Sequence, residues 1–214
     1  MQQTVKQNTD PAQQIPKPNT AKKIAFTAMF SALAAVVMMI EFPLTFIAPD
    51  FYKIDLSEIP VLICAFLYGP LSGVTAELIK NLIHLALGSK TGGIGELANF
   101  LIGCAFVLPA SFIYKFKKSK SFAVLGMTAG TVAMSLAGVI LNAYVLIPVY
   151  ARLFNAPVEA IVAAGTSIIP AINNLFTFCL FSVTPFNLIK GILISAATFF
   201  LYKPLGKLLS RFSF

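Results

Sequence analysis

The sequence predicts an all-α integral membrane protein with six transmembrane helices and cytoplasmic N- and C-termini. Of its 214 residues, 57% are hydrophobic, only 11% are charged, and none is tryptophan. A soluble globule of this size needs more polar surface than this composition supplies. The apolar residues fall in long runs separated by polar or basic segments, as expected for repeated membrane crossings. We divide the chain into a disordered polar cytoplasmic tail, residues 1–21, and a single six-helix membrane domain, residues 22–214.

The N-terminal tail is rich in glutamine and proline and has no apolar period, which predicts disorder. It ends at Lys22 and Lys23, and the first apolar helix is predicted over Ile24–Ile40. A signal peptide is the alternative, but the polar leader is long and no small-x-small cleavage site precedes a soluble domain. We therefore expect the first helix to remain as a membrane span.

The segment Glu41–Lys53 contains prolines and acids and is too polar for the membrane core, yet it also carries aromatic side chains. We predict a loop that lies over a cavity as a lid. Asp55 and Glu58 follow and indicate a helix start, because such side chains accept free amide protons and complement the helix dipole. The second helix is expected to end at Tyr68, before a Gly-Pro turn.

The third helix is predicted over Leu71–Leu87 and carries polar residues at three- and four-residue steps. These residues are Glu77, Lys80, Asn81 and His84. Such a stripe must face protein or water rather than lipid. A glycine-rich loop, residues 88–95, leads to a fourth helix over Glu96–Tyr114, whose first turn carries Glu96 and Asn99 on one face.

The second half of the chain contains two further predicted spans. A lysine-rich loop, residues 115–120, precedes a fifth helix over Phe122–Tyr150, which is longer than the roughly 20 residues that one crossing requires. Prolines and an acid interrupt residues 151–174, which are predicted to form a long loop with a short helix. The last span follows and ends at Lys203-Pro204.

Six spans place both termini on one side of the membrane, and the distribution of basic residues selects that side. The tail, the lysine-rich loop and the C-terminal segment hold eleven of the sixteen basic residues. The loops on the other side hold Lys53, Lys90 and Arg152. Both termini are therefore predicted to be cytoplasmic, and a cavity in the outer half is expected to open outward.

Asn187 and Lys190 lie three residues apart in the last apolar span and therefore share one helix face. A charge near the middle of the membrane costs roughly 3 kcal/mol or more unless it meets a polar cavity or partner. Asn142, on the neighbouring span, adds a second amide. Two amides and an ammonium suit a flat heterocycle with imide or carbonyl edges, so we predict a binding site here. A structural polar contact between helices is the alternative.

Motifs for other chemistries are incomplete. A G-x-G-x-x-A fragment at 93–98 has no preceding strand, and the Gly-Ser-Lys-Thr at 88–91 lacks the upstream glycine of a P-loop. The single histidine has no set of metal ligands, so neither metal nor cofactor is expected. The net charge of +8 does not indicate nucleic acid, because the basic residues flank apolar segments. A small intramembrane enzyme using the Glu77, Lys80 and His84 stripe stays open as an alternative.

The first helix carries a seam of small residues, which are Ala25, Ala28, Ala32 and Ala35. Helices in lipid associate without a hydrophobic driving force, and small residues permit their close contact. The seam can contact either a helix of the same chain or another membrane protein, and the sequence leaves both open.

Six motifs follow one another along residues 22–205. They are KIDLSEIP at 53–60, YGPLSG at 68–73, IKN at 79–81, GELANF at 95–100, LN at 141–142 and PFNLIKG at 185–191. Together they resemble the riboflavin-binding S components of energy-coupling-factor (ECF) transporters. The resemblance implies a multi-pass subunit of a bacterial cell membrane, not an enzyme, that captures riboflavin from outside.

The same resemblance implies partners and residue roles. The subunit joins a transmembrane T component and two ATP-hydrolysing subunits, and its alanine-rich first helix contacts the T component. Asn142, Asn187 and Lys190 bind the isoalloxazine ring, Glu96 and Asn99 are further candidate contacts, and the first loop closes over the ligand.

Two alternatives remain within this class of protein, which are an S component for another vitamin and one for a phosphorylated flavin, FMN. Lys53 or Lys90 can supply the positive charge that a phosphate requires. The chain also departs from the family pattern, because the region between Tyr150 and Pro185 is longer. It contains an additional apolar piece, Asn174–Val183.

Overall fold

The computed structural model describes residues 20–89, 91–155 and 157–211, with side chains described as far as residue 205. Most of the tail predicted over residues 1–21 therefore lies outside the described residues. Lys90, one of the two lysines considered for a phosphate, lies outside them as well.

The described chain is predominantly helical, in agreement with the predicted fold class. Its helices are α1 (Thr20–Met38), α2 (Glu58–Tyr68), α3 (Pro70–Gly88), α4 (Ile94–Phe116), α5 (Lys120–Leu141), α6 (Ile147–Leu153), α7 (Val158–Thr166), α8 (Leu175–Phe178) and α9 (Thr184–Arg211). Single turns of π-helix, Asn142–Leu146 and Cys179–Val183, join α5 to α6 and α8 to α9. Each joined pair forms one continuous helix.

Helix boundaries follow from local chemistry at most positions. Gly69 has φ 98°, a left-handed conformation that glycine adopts without strain, and Pro70 begins α3, so the predicted turn after Tyr68 is confirmed. The last candidate membrane segment ends at Leu205, next to the predicted end of the span at Lys203-Pro204, while the helix α9 itself continues through Pro204 to Arg211. Proline removes one amide donor, but membrane helices tolerate it where other groups satisfy the freed carbonyl.

Helix α2 lies at the centre of the bundle, in contact with α1, α3, α4 and α9. Its 11 residues span about 16 Å, roughly half the hydrocarbon thickness of a bilayer. Most of its side chains are buried by the surrounding helices. The main core contains Phe30, Val61, Leu62, Ile63, Phe66, Phe106, Met134 and Ile194.

Four helical segments of the described chain are long and apolar enough to cross a membrane. They are Thr20–Met38, Ile94–Phe116, Lys120–Leu153 and Leu175–Leu205. The two other predicted spans correspond to the short α2 and to α3, which carries the polar stripe. On α5 and the π-turn that follows it, every fourth side chain is apolar and exposed, at Val132, Leu136, Ile140 and Tyr144. Such a stripe is the surface expected to face lipid.

The first loop, predicted over Glu41–Lys53, is closed by two short strands. Strand β1 (Phe42–Pro43) pairs in antiparallel fashion with β2 (Lys53–Ile54), and an ion pair between Lys53 and Glu41 lies beside them. Ala48 and Ile54 are buried against Phe186 of α9. The loop is therefore packed onto the N-terminal part of α9.

The region between α6 and α9 contains the predicted short helix, α7. The additional apolar piece begins with a capping box, in which Asn174 Oδ1 accepts a bond from the Thr177 amide at 2.9 Å and Thr177 Oγ1 accepts one from the Asn174 amide at 3.0 Å. The piece then continues into α9 through the second π-turn. Asn174 is accordingly a helix cap.

Candidate ligand-binding site

Asn142 begins the π-turn after α5 and its side chain is buried. Its Oδ1 accepts a hydrogen bond from the hydroxyl of Tyr52 at 2.7 Å, and its Nδ2 donates to the carbonyl of Gly138 at 2.8 Å. Single π-turns inside α-helices are often found at functional sites. The first of these bonds joins the first loop directly to the predicted site.

Asn187, on α9, lies on the other side of Gly138. A Cβ atom at position 138 would overlap Asn187 Nδ2, so the glycine makes room for the amide. Asn187 is 3% exposed, and its Nδ2 has no hydrogen-bond partner among the described residues. An unpaired buried donor costs about 1–3 kcal/mol. We call Asn142, Gly138 and Asn187 the amide region.

Lys190 lies one helical turn from Asn187. Its Nζ is 3.0 Å from Asp55 Oδ2 and 3.2 Å from Glu58 Oε1. An ammonium has three N–H donors, so two are used by carboxylates. Within the part of the chain that the structure describes, no acceptor takes the third.

Lys190 belongs to a buried chain of five alternating charges. Glu58 also accepts from Lys80 Nζ through its second oxygen at 3.1 Å, and Lys80 Nζ is 2.8 Å from Glu77 Oε1. The order of charges is therefore Asp55, Lys190, Glu58, Lys80, Glu77, and none of these residues is more than 7% exposed. We call this set the charge region. Its members stabilise one another, since a buried charge without a partner is strongly destabilising.

Neutral groups hold both ends of the charge region. Asp55 accepts from the backbone amide of Ser57 at 2.9 Å and from the Ser57 hydroxyl, and Asn99 Nδ2 lies 3.5 Å from its other oxygen. At the far end, Asn81 Nδ2 donates to Glu77 Oε1 at 3.1 Å. The two terminal carboxylates are thereby fixed in orientation.

The carboxyl group of Asp55 lies in the non-helical segment before α2. Burial raises its pKa, but the Lys190 and Lys80 ammonium groups and the hydrogen bonds from Ser57 together outweigh burial, so the pKa lies below its usual range. Asp55 is therefore ionised at neutral pH.

Aromatic side chains enclose the amide region from the side of the first loop. The Tyr52 ring lies 5.6 Å from the Phe186 ring and 6.0 Å from the Phe178 ring, measured between centroids. Burial, and secondly the neighbouring Cys179, raise the pKa of the Tyr52 phenol well above its usual value. Tyr52 is therefore a neutral hydrogen-bond donor to Asn142 over the whole physiological range.

Glu96 has partners other than the amide region. One carboxylate oxygen is 2.8 Å from His84 Nδ1, and the other accepts from Ser89 at 2.8 Å and from Thr91 at 3.3 Å. Glu96 therefore bonds to α3 through one oxygen and to the glycine-rich connection between α3 and α4 through the other. Asn99, the other candidate on this helix, points toward Asp55 instead.

The polar stripe of α3 faces the protein interior, as predicted, but it divides into two groups. Glu77, Lys80 and Asn81 are buried in the charge region, whereas His84 pairs with Glu96 nearer the end of the helix.

The predicted seam of small residues on α1 divides as well. Ala25, Ala28 and Ala32 are exposed, while Ala35 is buried and faces the rest of the chain.

Sequence reasoning missed Asp55 and Glu58 as partners of Lys190, because it assigned them only to the start of α2. A signal was present in the charge balance. The chain has eight acidic residues, and two lysines in apolar helices require carboxylates nearby. Glu58 begins an apolar helix and Asp55 precedes it by one turn.

Comparison with known proteins is consistent across sequence and structure. The family model described as "ECF transporter, substrate-specific component" matches residues 22–202. The chain is 36% identical over 190 residues to the "Riboflavin transporter RibU" of Staphylococcus aureus (strain TCH60), covering 89% of this chain and 93% of the relative. It is 34% identical over 176 residues to the "Riboflavin transporter FmnP" of Bacillus subtilis (strain 168), covering 81% and 86%.

A solved structure is similar as well. A protein described under "Structure and mechanism of the S component of a bacterial ECF transporter" superimposes with a TM-score of 0.70 at 33% sequence identity. The similarity covers 89% of this chain and 99% of that protein.

Proposed function

The chain belongs to the family of ECF transporter substrate-specific components, and from this premise we propose that it binds riboflavin outside the cell and delivers it inward. Members of this family are transport subunits, so the chain is not an enzyme, and riboflavin is its transported ligand rather than a cofactor. The alternative of an intramembrane enzyme built on Glu77, Lys80 and His84 is set aside, because Glu77 and Lys80 pair with each other and His84 pairs with Glu96.

The observation that supports riboflavin most directly is the Asn187 amide nitrogen near Asn142, which has no hydrogen-bond partner among the described residues. One edge of the flavin ring presents carbonyl acceptors around an N–H donor. Asn187 Nδ2 donates to a ring carbonyl, the Asn142 amide offers both a donor and an acceptor, and Lys190 offers its third N–H. Hydrogen bonds of this kind select a ring, since a ligand without matching groups leaves them unpaired.

Apolar burial supplies most of the affinity in this proposal. Apolar surface removed from water contributes about 25 cal/mol per Å². The side chains around Tyr52 that can cover a flat ring are Leu44, Ile47, Ile54, Phe178, Val183 and Phe186. The polar groups then determine orientation and specificity.

Tyr52 and the ligand can share Asn142. The hydroxyl of Tyr52 donates to Asn142 Oδ1, and an amide oxygen can accept a second hydrogen bond, here from the ring N–H. Tyr52 belongs to the first loop, which packs onto α9 through apolar contacts. We therefore assign this loop the role of a lid that opens for entry and closes over the bound flavin.

The proposed topology is a single six-helix domain from residue 22 onward in the bacterial cell membrane, preceded by the polar tail of residues 1–21. Both termini are cytoplasmic, which agrees with the eleven basic residues on that side. The lid and the amide region then face outward. The partners are a transmembrane T component and two ATPase subunits, with α1 as the surface that contacts the T component.

A phosphorylated flavin is less well supported as the ligand. Of the two lysines considered for a phosphate, Lys53 is paired with Glu41, which reduces the positive charge available at the loop. A neutral flavin requires no positively charged group at this position. Riboflavin is accordingly the preferred ligand, and FMN is the natural competitor in a binding assay.

The decisive experiment is titration of the purified protein with riboflavin, followed by quenching of flavin fluorescence. We expect the wild type to quench riboflavin and to be purified with a yellow colour. Asn187→Ala and Lys190→Ala are expected to weaken binding at least about tenfold, which corresponds to about 1.4 kcal/mol. Asn173→Ala is the matched control, because Asn173 is exposed and its side chain lies outside the amide region.

A colourless wild type that does not quench added riboflavin would exclude riboflavin as the ligand. Weakening by Asn173→Ala equal to that by Asn187→Ala would show that the amide region is not the site. Asn187→Ala is the cleaner of the two site variants, because Lys190→Ala also leaves Asp55 and Glu58 without a partner.

The proposed contact with the T component has a separate test. Leucine at the exposed positions Ala28 and Ala32 is expected to abolish uptake while riboflavin binding is retained, since bulky side chains prevent close helix contact. Ala133→Leu, on α5, serves as a control substitution of the same size on a different helix. Loss of binding in proportion to uptake would instead indicate that the α1 variants are misfolded.

A further inference from the structure

The charge region contains one more acidic group than basic groups. Asp55, Glu58 and Glu77 are three carboxylates, and Lys80 and Lys190 are two ammonium groups. With all five ionised, the sum is −1. A ligand that approaches Lys190 therefore meets a cation whose charge is already balanced by its neighbours.

The geometry limits what Lys190 can offer to a ligand. Two of its N–H groups point to Asp55 and Glu58 at 3.0 and 3.2 Å, so a single N–H is left. An anion that accepted this N–H would also lie near both carboxylates. In a buried environment the repulsion between like charges is screened far less than in water.

We propose that Asp55 and Glu58 are specificity-determining residues. By neutralising Lys190, they make it a hydrogen-bond donor to the uncharged edge of a flavin ring. They also cause the site to reject the ring when that edge is ionised. This inference rests on the proposed function, in which the flavin edge lies at Lys190. Asp55 and Glu58 act through Lys190 and are positioning residues. They need no contact with the ligand.

The charged groups facing Lys190 come from three elements. Asp55 and Glu58 lie before and at the start of α2, and Lys80 and Glu77 lie on α3. From α5, Thr131 lies against Gly191, the next residue along α9, and threonine does not titrate. The Tyr52 phenol in the lid stays protonated in mildly alkaline solution, because burial raises its pKa.

Riboflavin itself is the probe, since its ring imide loses a proton in alkaline solution without a change in size. The dissociation constant is measured by isothermal titration calorimetry at pH values on both sides of this ionisation. The wild type is compared with Asp55→Asn, which keeps the shape of the side chain and removes its charge. Glu159→Gln is the matched control, because it removes an exposed carboxylate on α7.

For the wild type and Glu159→Gln we expect affinity to fall at least about tenfold when the ring is ionised. Part of that loss comes from the ring N–H, which no longer donates. Asp55→Asn still loses the hydrogen bond from the ring N–H, but it removes the repulsion between the ionised ring and Asp55. Its loss of affinity on ionisation of the ring is therefore expected to be several-fold smaller than that of the wild type. A residue with only a structural role would change affinity for both forms equally and leave their ratio unchanged.

Equal affinity of the wild type for the two forms would overturn the proposal, and so would an unchanged ratio in Asp55→Asn. If Asp55→Asn does not fold, as judged by its melting temperature, Glu58→Gln is measured against the same expectation. Failure of the wild type to bind riboflavin at any pH would instead contradict the proposed function. The two failures are therefore distinguishable.

Discussion

The amide region and the charge region meet on α9, where Asn187 and Lys190 lie one helical turn apart on the same face. The two regions differ in whether the protein itself supplies hydrogen-bond partners for these groups. Asn187 has an amide nitrogen without a partner among the described residues. Lys190 is held by two carboxylates, and one of these also contacts Lys80. Among the described residues, the amide region leaves a donor without a partner, whereas the charge region pairs each ammonium with two carboxylates.

The difference reflects the cost of leaving each group unpaired. An unpaired buried amide costs about 1–3 kcal/mol, which a folded protein can tolerate until a ligand arrives. An unpaired buried charge costs several kcal/mol, so a lysine in this position must be neutralised by the protein itself. Neutral polar groups in a membrane protein can therefore be reserved for a ligand, while charged ones need partners in the chain.

The largest expected effect is on folding, from removing one of the two lysines of the charge region. Lys80→Met leaves Glu58 and Glu77 without their shared cation, and we expect the free energy of unfolding to fall by about 3–5 kcal/mol. Chemical unfolding in detergent measures this change. Lys53→Met breaks the half-exposed pair with Glu41 and is expected to cost less than about 1 kcal/mol. Similar losses in the two variants would mean that the charge region is not stabilising.

An intermediate effect is expected on binding alone, from a methyl group in the amide region. In Gly138→Ala the new Cβ occupies the position of Asn187 Nδ2 and must displace it. Riboflavin affinity is expected to fall about tenfold, while the free energy of unfolding changes by less than about 1 kcal/mol, since alanine also favours the helix. Calorimetric titration and unfolding measure the two quantities.

A double variant provides the control for this prediction. If Gly138→Ala acts by displacing the Asn187 amide, it should add little to the loss already caused by Asn187→Ala, because neighbouring residues that act through one contact are not additive. Independent, additive losses would show that Gly138 affects the ligand by another route.

The smallest effect is expected at the boundary between the amide region and the lid. Tyr52→Phe removes the donor to Asn142 Oδ1 and keeps the aromatic packing, at a cost of about 1 kcal/mol. We expect riboflavin to dissociate about fivefold faster, as measured by recovery of flavin fluorescence after dilution. Tyr144→Phe is the control, because that hydroxyl is on an exposed side chain. An unchanged dissociation rate in Tyr52→Phe would remove Tyr52 from the proposed lid mechanism.

Much of the fold could be predicted from sequence because hydropathy and turn residues are local signals. The run of helices, the turn at Gly69 and the inward orientation of Glu77 and Lys80 all followed from spacing along the chain. The length of α2 was not predictable in this way. Hydropathy reports that a helix avoids water, but it does not distinguish burial in lipid from burial among other helices.

The candidate site was predictable only in part, for a related reason. Asn142 and Asn187 could be paired because each is a lone amide in an apolar span. The bond between Lys190 and Asp55 joins residues 135 positions apart, and no periodicity connects them. Asp55 also had a sufficient local interpretation as a residue near a helix start, which concealed its second role.

The two π-turns have a consequence for comparing this chain with its relatives. In each turn a backbone amide bonds to the carbonyl five residues earlier, at Ile147 with Asn142 and at Thr184 with Cys179. Such a turn accommodates one additional residue within a helix, and the ordinary α-helical hydrogen bonds resume beyond it. Relatives that lack either turn should therefore align here with a single-residue gap inside a helix. Such a gap at either turn would mark the absence of the π-turn rather than an alignment error.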